Sequence, residues 1–195
     1  MVSTATRARG RPRAGDPAEI SEIALALFVD RGYSATTMAE IADAAGVSLP
    51  TLFRYFPSKA ALFWYGMEDS ARLFREACAR QPSGVQLVDA VFGAYVEMLH
   101  ASTIRLPIIK LRVAIVTQGV EAADAAWLRF EEWSRMVADF VADRRGLPPK
   151  SLEADVVGGM IWSALWSALS AWAASEEPDP GPALADVRRH VTVSG

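Results

Sequence analysis

The chain has little of what small-molecule chemistry needs. Its 195 residues include one cysteine, Cys78, and two histidines, His100 and His190. One cysteine excludes a disulfide framework and any multi-cysteine zinc site. The two histidines lie in different segments with no serine or cysteine motif nearby, and neither GxSxG nor a P-loop occurs. A Cys78 nucleophile would need an activating base, and its neighbours are Glu76, Ala77 and Ala79. The residues therefore point away from an enzyme, and no metal or cofactor is implied. No stretch alternates apolar and polar residues with β-branched enrichment, which excludes a sheet protein. An apolar N-terminal leader is missing too, so the expected location is the cytoplasm.

Acid is absent from the first fifteen residues. They carry Arg7, Arg9, Arg11 and Arg13, and with a net charge of −3 the remainder sums to −7. A basic arm on a mildly acidic body suits phosphate; an unstructured tail without a task is the plain alternative. Apolar residues make up 51% and charged residues 22%, enough for a core and too apolar for disorder. The longest uncharged run, Val156 to Ala174, approaches the length of a membrane span. Glycine, serine and alanine dilute it, and no Lys/Arg cluster flanks it. A helix buried nearly all round, in a core and a subunit interface and not in a membrane, is the preferred reading.

What is present reads as helix throughout. Asp16-Pro17 opens a first helix, with Ile20, Ile23, Ala24, Leu27 and Phe28 on one stripe and Gly32 as its stop. Thr37 and Glu40 form a capping box for a second. Gly46 lets the chain turn, and Ser48 caps a short third helix that ends at Pro57. Ser58 caps a fourth, expected to run to about Arg80. Val88 to Leu99 keeps helical spacing, and a less regular segment spans 104–117. A long helix runs from about Glu121 to Arg145, and Ser151 caps the uncharged one. A last helix over Ala183–Val191 brings the total to about nine.

Residues 37–56 thus spell helix, tight turn, helix. An ordinary helical hairpin is one reading. The second helix is barely two turns long, so its outer face, with Leu49, Thr51, Phe53, Arg54 and Tyr55, is better placed to work than to pack. A helix of that size fits the DNA major groove.

The run Thr36-Thr37-Met38-Ala39-Glu40-Ile41-Ala42, then Ala45-Gly46-Val47-Ser48, then Thr51-Leu52-Phe53-Arg54-Tyr55-Phe56-Pro57-Ser58-Lys59 resembles the TetR family of transcriptional regulators. The likeness covers about residues 17–63, and the rest agrees only in length and helical character. It implies an all-α repressor-like homodimer that binds double-stranded DNA and answers to a small apolar or amphipathic effector. The corresponding division is a flexible basic arm over 1–15, a DNA-binding head over 16–60, and a ligand-binding and dimerisation body over 61–195. By position, the resemblance implies DNA contacts from Thr37, Ser48, Leu49, Thr51, Phe53, Arg54, Tyr55 and Lys59. Arg54 suits a bidentate contact to guanine and Thr51 a thymine methyl. Lys59, and a free Thr37 hydroxyl at a helix N-terminus, suit phosphate. Phe53 departs from the tyrosine common in relatives. In the arm, Arg9-Gly10-Arg11-Pro12 is similar to the minor-groove core of AT-hook peptides; non-specific phosphate binding is the other reading.

All six tryptophans follow residue 60. Trp64, Met67, Phe92, Tyr95, Met98, Trp127, Phe130, Met160 and Trp162 are candidates to line an apolar effector cavity, against the plainer reading of ordinary core. Arg112, if it faces inward, would favour an anionic effector such as a fatty acid or acyl-CoA. Trp64, five residues after Lys59, is similar to regulators of mycofactocin gene clusters, which respond to acyl-CoA. The competing function is a helical scaffold protein whose head holds DNA only non-specifically.

Overall fold

The computed structural model describes residues 15–67, 69–118 and 123–191, with side chains from 15 to 117 (save 68) and from 129 to 191. Among these residues the chain is all helical. The elements are α1 (Pro17–Arg31), α2 (Met38–Ala44), α3 (Leu49–Tyr55), α4 (Lys59–Trp64), α5 (Ser70–Arg80), α6 (Leu87–Ala101), α7 (Leu106–Gln118), α8 (Ala123–Arg145), α9 (Leu152–Ala173) and α10 (Gly181–His190).

The helix starts follow local chemistry. Asp16 accepts from the Ala18 N–H at 3.0 Å with Pro17 in the first turn, and Ser48, Ser58 and Ser151 cap α3, α4 and α9 by their hydroxyls. Gly32 and Gly46 leave α1 and α2 with φ of +90° and +66°, a region open to glycine at little cost.

The buried side chains form two clusters. The head cluster joins Ile20, Leu25 and Phe28 of α1 to Ile41, Leu52, Phe56, Leu62 and Phe63. The body cluster is built from α5, α6, α8, α9 and α10, around Phe74, Tyr95, Trp133, Trp162 and Trp172. Helix α7 serves both: Ile108 and Ile115 complete the head cluster, and Val113 lies in the body cluster.

Two expectations need correction. The fourth helix does not run to Arg80. It stops at Trp64, Gly66 takes φ +80°, and α5 begins at Ser70, which gives ten helices among the described residues where about nine were expected. The Tyr65 carbonyl, turned out of the helix, accepts from Arg112 Nη2 at 2.6 Å. A distant partner thus holds the break open. Most of the segment expected to be irregular is a regular helix, α7 (Leu106–Gln118), with Pro107 at its second position where a missing N–H costs nothing. Within its own chain, α9 is buried along one side only. Gly158, Ile161, Trp162, Leu165 and Leu169 face inward, while Leu152, Val156 and Met160 stand 79%, 52% and 55% exposed along the other side. Among the described residues α9 alone is long and apolar enough to cross a membrane by length and composition.

Candidate nucleic-acid interface and effector core

The head presents α3 as its outer element. Leu52 is fully buried and Phe56 nearly so, which fixes the helix to the head core by one side. The opposite side carries Leu49, Phe53 and Tyr55, exposed by 38%, 46% and 40%, together with exposed Arg54. Large apolar side chains gathered on so short a helix mark a contact surface. The Arg54 guanidinium lies 5.0 Å from the Tyr55 ring centroid and donates from Nη2 to the Tyr55 hydroxyl at 3.3 Å. That contact limits the rotamers of a side chain otherwise free in solvent. Ser48 Oγ accepts from the Thr51 N–H at 3.3 Å, and the two hydroxyls are 2.8 Å apart.

Two expected phosphate contacts are already occupied. The Thr37 hydroxyl accepts from the Glu40 N–H at 3.2 Å and donates to Glu40 Oε2 at 2.8 Å, and the Thr37 N–H donates to the same oxygen at 2.8 Å. The hydroxyl is not free; the capping box takes it both ways. The Thr37 N–H, then its hydroxyl and the neighbouring Arg31, hold the Glu40 carboxyl below its ordinary range. What α2 offers an anion is the unbonded N–H groups of its first turn, with a negative charge beside them. Lys59 Nζ donates to the Tyr33 carbonyl at 2.8 Å and the Ser34 carbonyl at 3.3 Å, and sits 4.7 Å from the Tyr33 ring centroid. It ties the α1–α2 link to the start of α4. Buried Thr36 works beside it, donating to the Gly32 carbonyl at 2.8 Å, a role the sequence reading missed. Arg9 and Arg11 lie outside the described residues.

In the body the structure brings together Phe92, Tyr95, Met98, Phe130 and Trp162. Trp133 and Trp162 stack at 5.4 Å and 12°; Tyr95 lies 6.0 Å and 6.4 Å from them; Phe130 lies 5.9 Å from Trp162. Burial pushes the Tyr95 phenol up, so it stays neutral. Trp133, Phe74 and Trp166 belong to this group and were not among the expected lining residues. Helical spacing signals two of them: Trp133 follows Phe130 by three, and Trp166 follows Trp162 by four.

The other candidates fall elsewhere. Trp64 packs on the head cluster, its ring 4.6 Å from Phe63 and 5.4 Å from the Arg129 guanidinium. Met67 sits half-buried in the α4–α5 link. Met160 is on the outer side of α9, bordering a shallow groove with Gly159, Ser163, Ala164, His190 and Val191. It faces away from Trp162 because the two are two positions apart on one helix. Arg112 does turn inward, 5% exposed, bonded to the Tyr65 carbonyl. The side chain of Trp127 lies outside the described residues. Burial raises the Cys78 thiol to about 12, which leaves it protonated and poorly nucleophilic at neutral pH. Among the described residues no cluster of three His, Cys, Asp or Glu side chains is placed to hold a metal ion.

Known proteins match both parts of the chain. Residues 20–64 match the family model described as bacterial regulatory proteins, tetR family, and residues 85–193 match the MftR C-terminal domain. The putative mycofactocin biosynthesis transcriptional regulator MftR of Mycobacterium tuberculosis is 30% identical over 166 residues, 84% of this chain and 81% of that one. Among solved structures, the TetR family repressor FadR of Thermus thermophilus, in complex with lauroyl-CoA, superposes with a TM-score of 0.53. It is 22% identical and covers 90% of each chain. The TetR family regulator CifR, in complex with 26-bp operator DNA, superposes with a TM-score of 0.59 at 22% identity, over 92% of this chain and 97% of that one.

Proposed function

The chain belongs to the tetR family of bacterial regulatory proteins, in the group with an MftR-type C-terminal domain, and on that premise we propose how it reads DNA and how it is released. It is a ligand-responsive transcriptional regulator and no enzyme, and like its family it works as a homodimer on double-stranded DNA. The reading proposed here is a cytoplasmic repressor bound to a palindromic operator, one α3 per half-site. The observation that carries it is the seven-residue α3 itself, buried at Leu52 and open at Leu49, Phe53, Arg54 and Tyr55. Arg54 reads a guanine and Thr51 a thymine methyl, while Ser48 and the first turns of α2 and α3 meet phosphates. Residues 1–15 serve as the arm, with Arg9 and Arg11 in the minor groove. The head takes in 62–65 beyond the expected boundary at 60, because those side chains finish its core.

The effector is an amphipathic acyl thioester. The aromatic group of the body supports an acyl chain, inward Arg112 supports an anionic end, and the Thermus relative carries lauroyl-CoA. Release runs through α4 and α7. Arg105, just before α7, pairs with Glu22 of α1, and Lys110 of α7 donates to the Ser175 and Glu177 carbonyls at 2.6 and 2.8 Å, so α7 and its start grip head and body together. A shift of α7 re-aims the two heads, which must otherwise match major-groove faces about 34–36 Å apart.

Selection of bound sequences from random duplex DNA tests the reading. The expected outcome is an enriched palindrome with two half-sites. In Arg54→Ala, preference relaxes at one base pair per half-site by about 1–3 kcal/mol. An unchanged preference refutes the Arg54 assignment. No enrichment, with binding that only falls steeply with salt, favours a scaffold with non-specific DNA affinity.

A further inference from the structure

Helix α9 buries two tryptophans of the same kind in different ways. Trp172, 1% exposed, donates its indole N–H to the Glu177 carbonyl at 2.9 Å. Trp162, 3% exposed, has its Nε1–H sealed from solvent with no acceptor among the described residues. Such a donor is a standing cost, since buried polar groups are almost always paired. Packing does not require it: a phenylalanine would stack on Trp133 at 5.4 Å without stranding an N–H. A bound molecule can supply the acceptor that the described residues do not.

The surroundings limit its chemistry. Among the described residues the rings against Trp162 are Trp133, Tyr95, Phe130 and Trp166, all uncharged. A carboxylate or phosphate stripped of water there would lack a counter-charge from those rings. A neutral carbonyl oxygen would not need one. The edges and outer faces of these rings are apolar and suit a hydrocarbon chain.

We propose that the Trp162 Nε1–H is the hydrogen-bond anchor of the effector site, donating to the carbonyl oxygen of an acyl ester or thioester whose chain lies against the Trp133–Trp162 stack. This rests on the body being an acyl-effector site, and it adds the atom that senses the carbonyl.

The test compares lauroyl-CoA with its thioether analogue, in which CH2 replaces the carbonyl, on the full chain by calorimetry. The wild type is expected to favour the thioester by about 3–10-fold, the worth of one neutral hydrogen bond. Trp162→Phe keeps an aromatic ring against Trp133 and is expected to lose that preference, the ratio of the two affinities being read within each protein. An equal preference in both proteins, or none in the wild type, overturns the anchor and leaves the acyl-effector reading standing. If the wild type binds neither ligand, both fall. A second measurement needs no variant. With 15N-labelled indoles, the Trp162 Nε1–H resonance is expected to move downfield on saturation with the thioester and not with the thioether. An unmoved resonance overturns the proposal.

Discussion

Lys59 separates what a residue is from what it does. A lysine at the start of α4, beside a DNA-reading helix, has the charge for a phosphate, and that much was legible. Its partners were not, because the Tyr33 and Ser34 carbonyls sit some twenty-five residues away in a loop whose path depends on the whole head. Thr37 teaches the same lesson at shorter range: the capping box predicted from the sequence consumes the very hydroxyl expected to be free. Two of the three ammonium donors of Lys59 are spent inside the head, so its effect on DNA runs through the α1–α2 link. Lys59→Met is therefore expected to weaken operator binding while the slope of log K against log salt stays as in the wild type. A lysine that neutralised a phosphate would take about one unit off that slope. A titration from low to moderate salt decides between the two, and a reduced slope with an unchanged melting temperature would return Lys59 to the phosphate.

At the scale of elements, helix starts were readable because caps are local. Asp16, Thr37, Ser48, Ser58 and Ser151 each act within three residues of themselves. The break between α4 and α5 was not readable, since a lone glycine is tolerated in a helix and the bond that fixes the turn comes from Arg112 on α7. The close approach of α8 and α9 was half readable. The uncharged run holds two adjacent glycines, and only the structure tells Gly158 from Gly159. A Cβ on Gly158 would stand 2.5 Å from the Ala138 Cα, a backbone atom that cannot step aside, whereas one on Gly159 meets only the Ser134 hydroxyl at 3.6 Å. Gly158→Ala is expected to push the pair apart and cost about 1–3 kcal/mol, more than the roughly 1 kcal/mol alanine gains in helix propensity. Gly159→Ala should keep that gain. Calorimetry should show the first melting several degrees lower and the second at or slightly above the wild type. Equal melting points would mean that α8 and α9 are not in van der Waals contact at this crossing.

The whole molecule leaves one side of its most apolar helix uncovered. Leu152, Val156 and Met160 recur every four residues on α9, and exposed Ser163, Ser167 and Ala171 continue the line. Exposed apolar side chains in a row on a 22-residue helix are costly in water, and a second copy meeting them about a two-fold axis would cover both rows at once. We place the dimer contact on this side, with the partner also closing the groove beside His190 and Val191. The arrangement accounts for the composition of the uncharged run: Gly158 lets α8 approach, Ile161, Trp162, Leu165 and Leu169 fill the core, and Val156 and Met160 are left for the partner. A charge buried there is strongly disfavoured, so Val156→Asp combined with Met160→Asp is expected to give a 21.1-kDa species by light scattering in place of one twice that mass. Each isolated head should still hold a single half-site as the wild type does. On the full palindrome, losing the link between two heads removes an avidity of about 10²–10⁴-fold, so operator affinity is expected to fall by at least about 100-fold. A double variant that stays dimeric would move the subunit contact to another side of the body. One that becomes monomeric yet keeps full operator affinity would show that a single α3 with its arm suffices, and that the two-fold geometry is not what reads the site.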